Sequence, residues 1–525
     1  MLVKAVRMFF IILGCIVGIA AVIVLVAGAI IMLTGISVFG YKYIDYKGTA
    51  DVYKMPSSAS IHAIEVNTNR MSVNFLPSLS SGPYPNDLVV ELQKDMSGFV
   101  PVDNCALSCD PEISGSTIVI TVTEPDGLIW SGGGVVTIYV PPSMNISSIK
   151  AVTGSGGVMS SLTAAGATAD ITTNSWNGGG AVALPNTYSN YIIKTGGSPL
   201  NISMGSSTNL NANITFASNS GSLSMPNIIL NGNLTVNSSS DIGGPKVAFS
   251  ALYGNLTVNA KTAVLDIPII GSGGSSIKIN GTSVQLNATT VNGNITGGSY
   301  IPAGKTPDAN NNCQYNITNL NTTGSTITGG SNNITIKNLA GPLTVTATIG
   351  QTSIGTNGKI NAKGLLNLTS TSGKITVNYD PNDPATNNDL KITTKEAYIY
   401  VTNVKGKVDI TAGGGRDRDI NISFAAVTNG SKIDAQGYRV FMQSKTGLPY
   451  KLLASAEVNM DNGLLGVSKQ IDPNNSADKD YVQSTNTTYQ YRICYTNVSG
   501  TGNGTVLSVI TTGQISLKGY NPNAA

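Results

Sequence analysis

Gly232-Asn233-Leu234-Thr235-Val236 is the stretch on which the reading of this chain turns. Glycine supplies a turn at no steric cost. The alternation after it puts Leu234 and Val236 on one face of a strand and Thr235 on the other. The pattern recurs at Gly254 (Gly-Asn-Leu-Thr-Val), Gly341 (Gly-Pro-Leu-Thr-Val), Gly373 (Gly-Lys-Ile-Thr-Val) and Gly406 (Gly-Lys-Val-Asp-Ile), with looser copies from Gly221, Gly293, Gly358, Gly430 and Gly504. One such strand is too short to bury a core alone, whereas stacked copies share a continuous one, as in a solenoid. The spacing is irregular: 22 residues from Gly232 to Gly254, 17 from Gly341 to Gly358, 15 from Gly358 to Gly373, 24 from Gly406 to Gly430. This predicts an all-β chain wound as an irregular parallel β-solenoid (β-helix), with coils of about 15–25 residues whose corner loops vary in length. An antiparallel sandwich, which also shows short strands between regular turn signals, is the competing fold.

Composition agrees with an exposed, turn-rich β protein. Of 525 residues, 11% are charged, well under the usual quarter, and 59 are glycine. Val, Ile and Leu alternate with polar residues throughout, which excludes a disordered composition. A net charge of +3 gives no electrostatic case for a nucleic-acid partner.

The N-terminus is different in kind. Lys4 and Arg7 are followed by no charge from Met8 to Gly40, and Phe9–Leu33 is almost wholly apolar. About 20 apolar residues cross a bilayer as a helix. The expected organisation is a cytoplasmic tail (1–7), an uncleaved transmembrane signal anchor (8–40), a membrane-proximal linker with Tyr41, Tyr43 and Tyr46 (41–58), an N-terminal β region (59–160), solenoid repeats (161–435) and a C-terminal β cap (436–525). Lys4 and Arg7 place the tail inside by the positive-inside rule, leaving a large extracellular C-terminal domain on a single-pass plasma-membrane protein. A cleaved signal peptide at Ala27-Gly28-Ala29 is disfavoured because the apolar run continues through Leu33. A lipoprotein signal at Leu13-Gly14-Cys15 leaves the apolar run after it unexplained. The Gly14/Gly18 spacing fits helix dimerisation but is common in apolar segments.

Several segments together resemble a known family: Ile-x-x-Ile-Glu-Val-Asn-Thr from Ile61, the strand ending Val140-Pro141-Pro142, the run Ile149–Gly156, and the later Ser-Gly-Lys-Ile-Thr-Val units. They are similar to the adhesin β-solenoid domains of prokaryotic membrane-anchored surface proteins, over roughly residues 60–435. The resemblance implies a right-handed solenoid after a transmembrane helix and carries over no catalytic residue. The chain departs from the family in its length, its loop near 300–315 and its cysteines.

Candidate chemistry is sparse. Cys105, Cys109, Cys313 and Cys494 can form two disulfides in an exported region, Cys105 with Cys109 being closest in sequence, or stay free as small buried hydrophobes. No CxxC exists and His62 is the sole histidine, which argues against zinc and against a catalytic triad. Sequons fall at Asn145, Asn201, Asn213, Asn233, Asn255, Asn294, Asn316, Asn333, Asn367, Asn421 and Asn497. They mark N-glycosylation sites if the host glycosylates, or follow from a composition rich in Asn, Ser and Thr. Arg416-Asp417-Arg418-Asp419 is the densest charge cluster; opposite charges alternating on an exposed turn are the plain reading, and a polysaccharide-cleaving site the sharp one. Asp380, Asp383 and Asp389 lack calcium-loop spacing. Segments 301–314 and 380–389 read as protruding loops.

The function expected is a non-catalytic surface adhesin or structural envelope protein that meets the membrane through one helix and an unknown surface glycan or protein, without a cofactor. The alternative is a β-helix lyase or hydrolase acting on polysaccharide.

Overall fold

The computed structural model describes residues 2–520 except 35–36, 38–39, 59, 126–127, 164–165, 174–181, 197–201, 205–207, 303–311, 362–363, 382–387, 415–416, 446–447, 449, 456–457, 462–469, 472–491 and 497–504. Among the described residues the chain forms one α-helix, Leu2–Thr34, followed mostly by β-strands. It divides into two compact units, Met1–Ser206 and Ser207–Ala525.

Unit 2 is a parallel β-solenoid with three stacks of strands. In the first, Ile214, Leu234, Leu256 and Ile277 stand in register, each one coil from the next. In the second, Leu223, Val247, Leu265, Leu286, Tyr315, Ile334, Thr352, Ile375, Ile399, Ile420 and Val440 follow one another coil by coil. The third aligns Leu230, Leu252 and Ile270, then Val291, Leu320 and Leu339. Long strands bend at a corner and serve two stacks. Leu256–Asp266 pairs with Leu234–Ser238 through its first half and with Lys246–Leu252 through its second. The hydrogen-bond network therefore closes around the coil, while the partners remain parallel and a whole coil apart. The longest step in the second stack, from Leu286 to Tyr315, contains the segment expected to loop out at 301–314, most of which lies outside the described residues.

The core follows from the alternation. Leu234, Val236 and Ser238 are buried while Thr235 and Asn237 are half-buried. Each fully buried aliphatic side chain contributes about 1.5–3 kcal/mol, and neighbouring coils satisfy the backbone groups that a lone strand leaves open. Gly341 and Gly373 have positive φ, as a turn requires, but Gly232 and Gly254 have another cause. A Cβ on Gly232 would sit 1.9 Å from the carbonyl oxygen of Ala212, and one on Gly254 would sit 2.0 Å from that of Gly232. Neither has a positive φ. At these two positions glycine is there because the corners stack too closely for any side chain.

Unit 1 holds the helix and two stacks. One runs Thr117–Thr123, Ala63–Thr68, Ser148–Thr153, Thr168–Thr173, Asn190–Thr195, all parallel, with Ser108–Ser114 antiparallel on its outer side. The other runs Leu128–Val140, Ser72–Pro77, Val158–Ser160, Val182–Leu184, Ile202–Met204, also parallel, with Leu88–Pro101 antiparallel on Leu128–Val140. Residues 41–58 are not a linker: Tyr41–Asp45 and Thr49–Met55 both pair with Leu88–Pro101. The parallel stack starts at Ala63, so solenoid character is not confined to 161–435. Nor is 436–525 a separate cap. Arg439–Lys445, Val506–Ile510 and Ile515–Tyr520 are parallel rungs, and the antiparallel cover consists of Gln470–Ile471 and Arg492–Thr496.

Candidate functional site

Two kinds of surface stand out among the described outward positions of unit 2. The first is an amide ladder. Asn213 Oδ1 accepts the backbone N–H of Asn233 at 3.0 Å, Asn233 Oδ1 that of Asn255 at 3.0 Å, and Asn255 Oδ1 that of Ser276 at 2.8 Å. Asn333 does the same for Gln351 at 3.3 Å and Asp389 for Lys407 at 2.8 Å. Asn294 Oδ1 accepts from the N–H groups of Thr323 and Gly324 and from the hydroxyls of Thr322 and Thr323. A corner residue of one coil thus caps an N–H of the next, each bond worth about 1 kcal/mol net. A second row joins Asp266, Asn287 and Asn316: Asn287 Nδ2 donates to Asp266 Oδ1 at 2.6 Å and Asn316 Nδ2 to Asn287 Oδ1 at 2.9 Å. With Pro226, Phe249 and Pro268 this row lines a shallow open groove. Its amides bond one another along the row.

The sequon residues Asn213, Asn233, Asn255, Asn294, Asn316 and Asn333 therefore have structural work at the solenoid corners or in the side-chain rows. Asn145, Asn213, Asn233, Asn255, Asn316 and Asn333 are exposed, and Asn294, Asn367 and Asn421 half-buried. Asn201 and Asn497 lie outside the described residues.

The second surface is an aromatic and cationic strip on strands Leu366–Asn378, Leu390–Val404, Asp419–Phe424 and Arg439–Lys445. Burial of Ile399 and Val401 turns Tyr398 and Tyr400 outward. Register sets Lys374 beside Tyr398, Tyr400 beside Asn421, and Asn421 beside Phe441. Arg418 lies with its guanidinium carbon 4.4 Å from the Tyr398 ring centre, and Lys374 Nζ 4.8 Å from that of Tyr400. Arg439 lies 6.0 Å from the Phe441 ring and donates to Asp419 Oδ1 at 2.7 Å. A guanidinium stacked on a ring keeps its in-plane N–H donors for a ligand. Beneath the strip, burial pushes the Tyr438 phenol up to about 12, so it stays a neutral donor, bonded to the Lys395 carbonyl at 3.2 Å.

The predicted charge cluster is thus split by the structure. Arg418 stacks on Tyr398, Asp419 pairs with Arg439, and Asp417 turns the chain with a φ of +62°. Arg416 lies outside the described residues, as does Asp383; Asp389 belongs to the amide ladder. Among the described residues no three His, Cys, Asp or Glu side chains come together as a metal site. His62 is exposed at a corner, its Nδ1 3.2 Å from the Asn145 carbonyl oxygen.

The expected disulfides are corrected for the described thiols: Cys105, Cys109 and Cys313 are free. Cys109 points into the core from Ser108–Ser114, while Cys105 follows the short turn Val102–Asn104, half-exposed. Burial pushes the Cys109 thiol up to about 12 and Cys313 up to about 11, leaving both protonated and inert at neutral pH. The Cys494 side chain lies outside the described residues.

Sequence reasoning passed over Tyr398, Tyr400, Phe441 and Lys374. The signal was the segment Ala397-Tyr398-Ile399-Tyr400-Val401, two aromatics at alternate positions in a chain only 6% aromatic. Comparison with protein families, characterised proteins and solved structures gave no match.

Proposed function

We propose that the chain is a single-pass membrane protein of the cell surface whose β-solenoid is a non-catalytic, glycan-binding adhesin. The helix supports the anchor: Leu13–Met32 is long and apolar enough to cross a bilayer. Lys4 and Arg7 favour a cytoplasmic N-terminus, with the β units outside. The observation that carries the binding reading is the strip itself, where Tyr398, Tyr400 and Phe441 each have a cation beside the ring on an outward sheet face. Flat aromatic area with in-plane donors suits the apolar face and the hydroxyl or carboxylate edge of a pyranose. The adhesin family resembled at the sequence level agrees with this use, and the amide ladder accounts for Asn213, Asn233, Asn255 and Asn333 without attached sugar.

The test is a glycan array probed with the full chain in nanodiscs, with release of reducing ends measured on every bound polysaccharide. Binding without cleavage, weakened about tenfold or more by Tyr398→Ala with Tyr400→Ala, is expected, as for an aromatic hot spot. Asn316→Ala, in the second amide row, leaves binding unchanged. Cleavage abolished by Asp417→Ala or Asp419→Ala would make the chain a polysaccharide-active enzyme and end the adhesin reading.

A further inference from the structure

We propose that the end of unit 1's antiparallel sheet around Phe99 rests in the membrane interface, so that Phe99, Tyr41 and Tyr43 are lipid contacts and the unit is seated on the bilayer as well as tethered to it. The inference rests on the anchor reading above and on the geometry between helix and sheet.

A Cβ on Gly28 would lie 3.7 Å from Phe99 Cζ. Gly28 is inside the apolar span Leu13–Met32, four residues before its end. At 1.5 Å per residue that is about 6 Å below the end of the span. A ring this close to Gly28 is therefore at the depth where interfacial aromatic residues sit, about 5–10 Å into the boundary between headgroups and acyl chains. The same end of the helix is where burial begins: Ile31 is 5% exposed, against 73% for Leu25.

The residues sharing this end of the sheet fit that depth. Tyr43 packs edge-on against Phe99 with ring centres 5.5 Å apart. Tyr41 stands opposite Pro101 and is 47% exposed, and Val102, whose N–H bonds to the Gly40 carbonyl at 2.9 Å, is 41% exposed. Register places Leu128 and Ile129 opposite Phe99 and Gly98. The charged neighbours, Lys42, Asp45 and Asp103, set the limit of immersion, because a carboxylate stays with the headgroups. At the other end of the same strand, Asp87 pairs with Lys54 at 3.0 Å. Asp87 is about 40 Å from Phe99 at strand rise.

The test inserts an environment-sensitive fluorescent amino acid at single positions of the full chain in phosphatidylcholine nanodiscs. Quenching is compared between nitroxide lipids and aqueous iodide. At Phe99, and separately at the more tolerant Tyr41, the expected result is blue-shifted emission, strong quenching by a nitroxide high on the acyl chain, and weak quenching by iodide. At Asp87 the order is reversed. A probe at Val22 reports the anchor alone and is quenched best by a nitroxide deep in the bilayer. If Phe99 and Tyr41 behave as Asp87 does while Val22 is lipid-buried, the seated sheet is wrong and the anchor stands. If Val22 is reached by iodide, the anchor reading falls and this inference with it.

Discussion

Unit 1 begins as unit 2 finishes. In unit 1 the first solenoid strand, Ala63–Thr68, lies between two strands that come later in the chain, Thr117–Thr123 and Ser148–Thr153. In unit 2 the late strand Val506–Ile510 lies between two that come earlier, Ser431–Ala435 and Tyr450–Ala454. Each has an antiparallel cover on the outer strand of that stack, which occupies an edge that would otherwise be open to another chain. The difference is how far the cover has come. Ser108–Ser114 folds back on Thr117–Thr123 through Gly115 and Ser116 alone. Arg492–Thr496 reaches Tyr450–Ala454 from far along the chain. A hairpin closes at little entropic cost, while a distant segment must be held by burial.

Cutting unit 2 before its threaded strand is the strongest challenge to the comparison. Ending the chain after Thr505 removes Leu507, Val509, Ile510, Ile515 and Leu517 from the core, a loss on the order of 10 kcal/mol. Hydrogen exchange is expected to show Tyr450–Ala454 and Val458–Asp461 losing protection while Leu234–Ser238 keeps it. Full protection at Tyr450–Ala454 would mean that the outer coil does not depend on the strand threaded beneath it.

Two glycines sharpen the contrast. Gly513 packs its corner on the coil below, where a Cβ would be 2.1 Å from the Tyr438 carbonyl oxygen. Gly115 faces open space with φ +61°. Gly513→Ala therefore overpacks and costs about 1–3 kcal/mol, while Gly115→Ala strains one dihedral pair for about 1 kcal/mol. Denaturant titration of the two variants measures the ordering, and an equal loss would remove the distinction between a stacked corner and a free turn.

The smallest effect is electrostatic and confined to unit 1. Its threaded strand carries Glu65, bonded to Lys150 Nζ at 2.8 Å, whereas Val506–Ile510 carries no charge. The hydrogen bond from Lys150 holds the Glu65 carboxyl below its ordinary value of 4.5. The pair thus contributes above that value and is lost as pH falls through the lower, folded one. Both side chains are partly exposed, so the contribution is about 0.2–1 kcal/mol. Glu65→Gln should flatten the acid limb of unit 1 stability between pH 5 and pH 2 (roughly, from the usual carboxylate range). The same acid dependence in wild type and variant would assign it to other carboxylates.

The strands were legible in the sequence because alternation is local: Leu234 in and Thr235 out is written within a single copy of the motif. Irregular coil length was legible from the glycine spacing. Threading was not, since nothing near Val440 announces that its partner, Ile515, lies close to the end of the chain. Gly341 and Gly373 were legible as turn glycines, but the cause at Gly232 and Gly254 was not, because their close approach exists only once the coils are stacked. Tyr398 and Arg418 lie on different coils and come together only through register. The Arg416–Asp419 cluster was visible, and its partners were not.

The threaded strand of unit 2 also bears on the order in which the fold can be completed. A chain synthesised from its N-terminus presents Ser431–Ala435 and Tyr450–Ala454 before Val506–Ile510. The space between them must stay open, or be reopened, until Val506–Ile510 arrives. A ribosome stalled near residue 500 therefore leaves unit 2 one rung short.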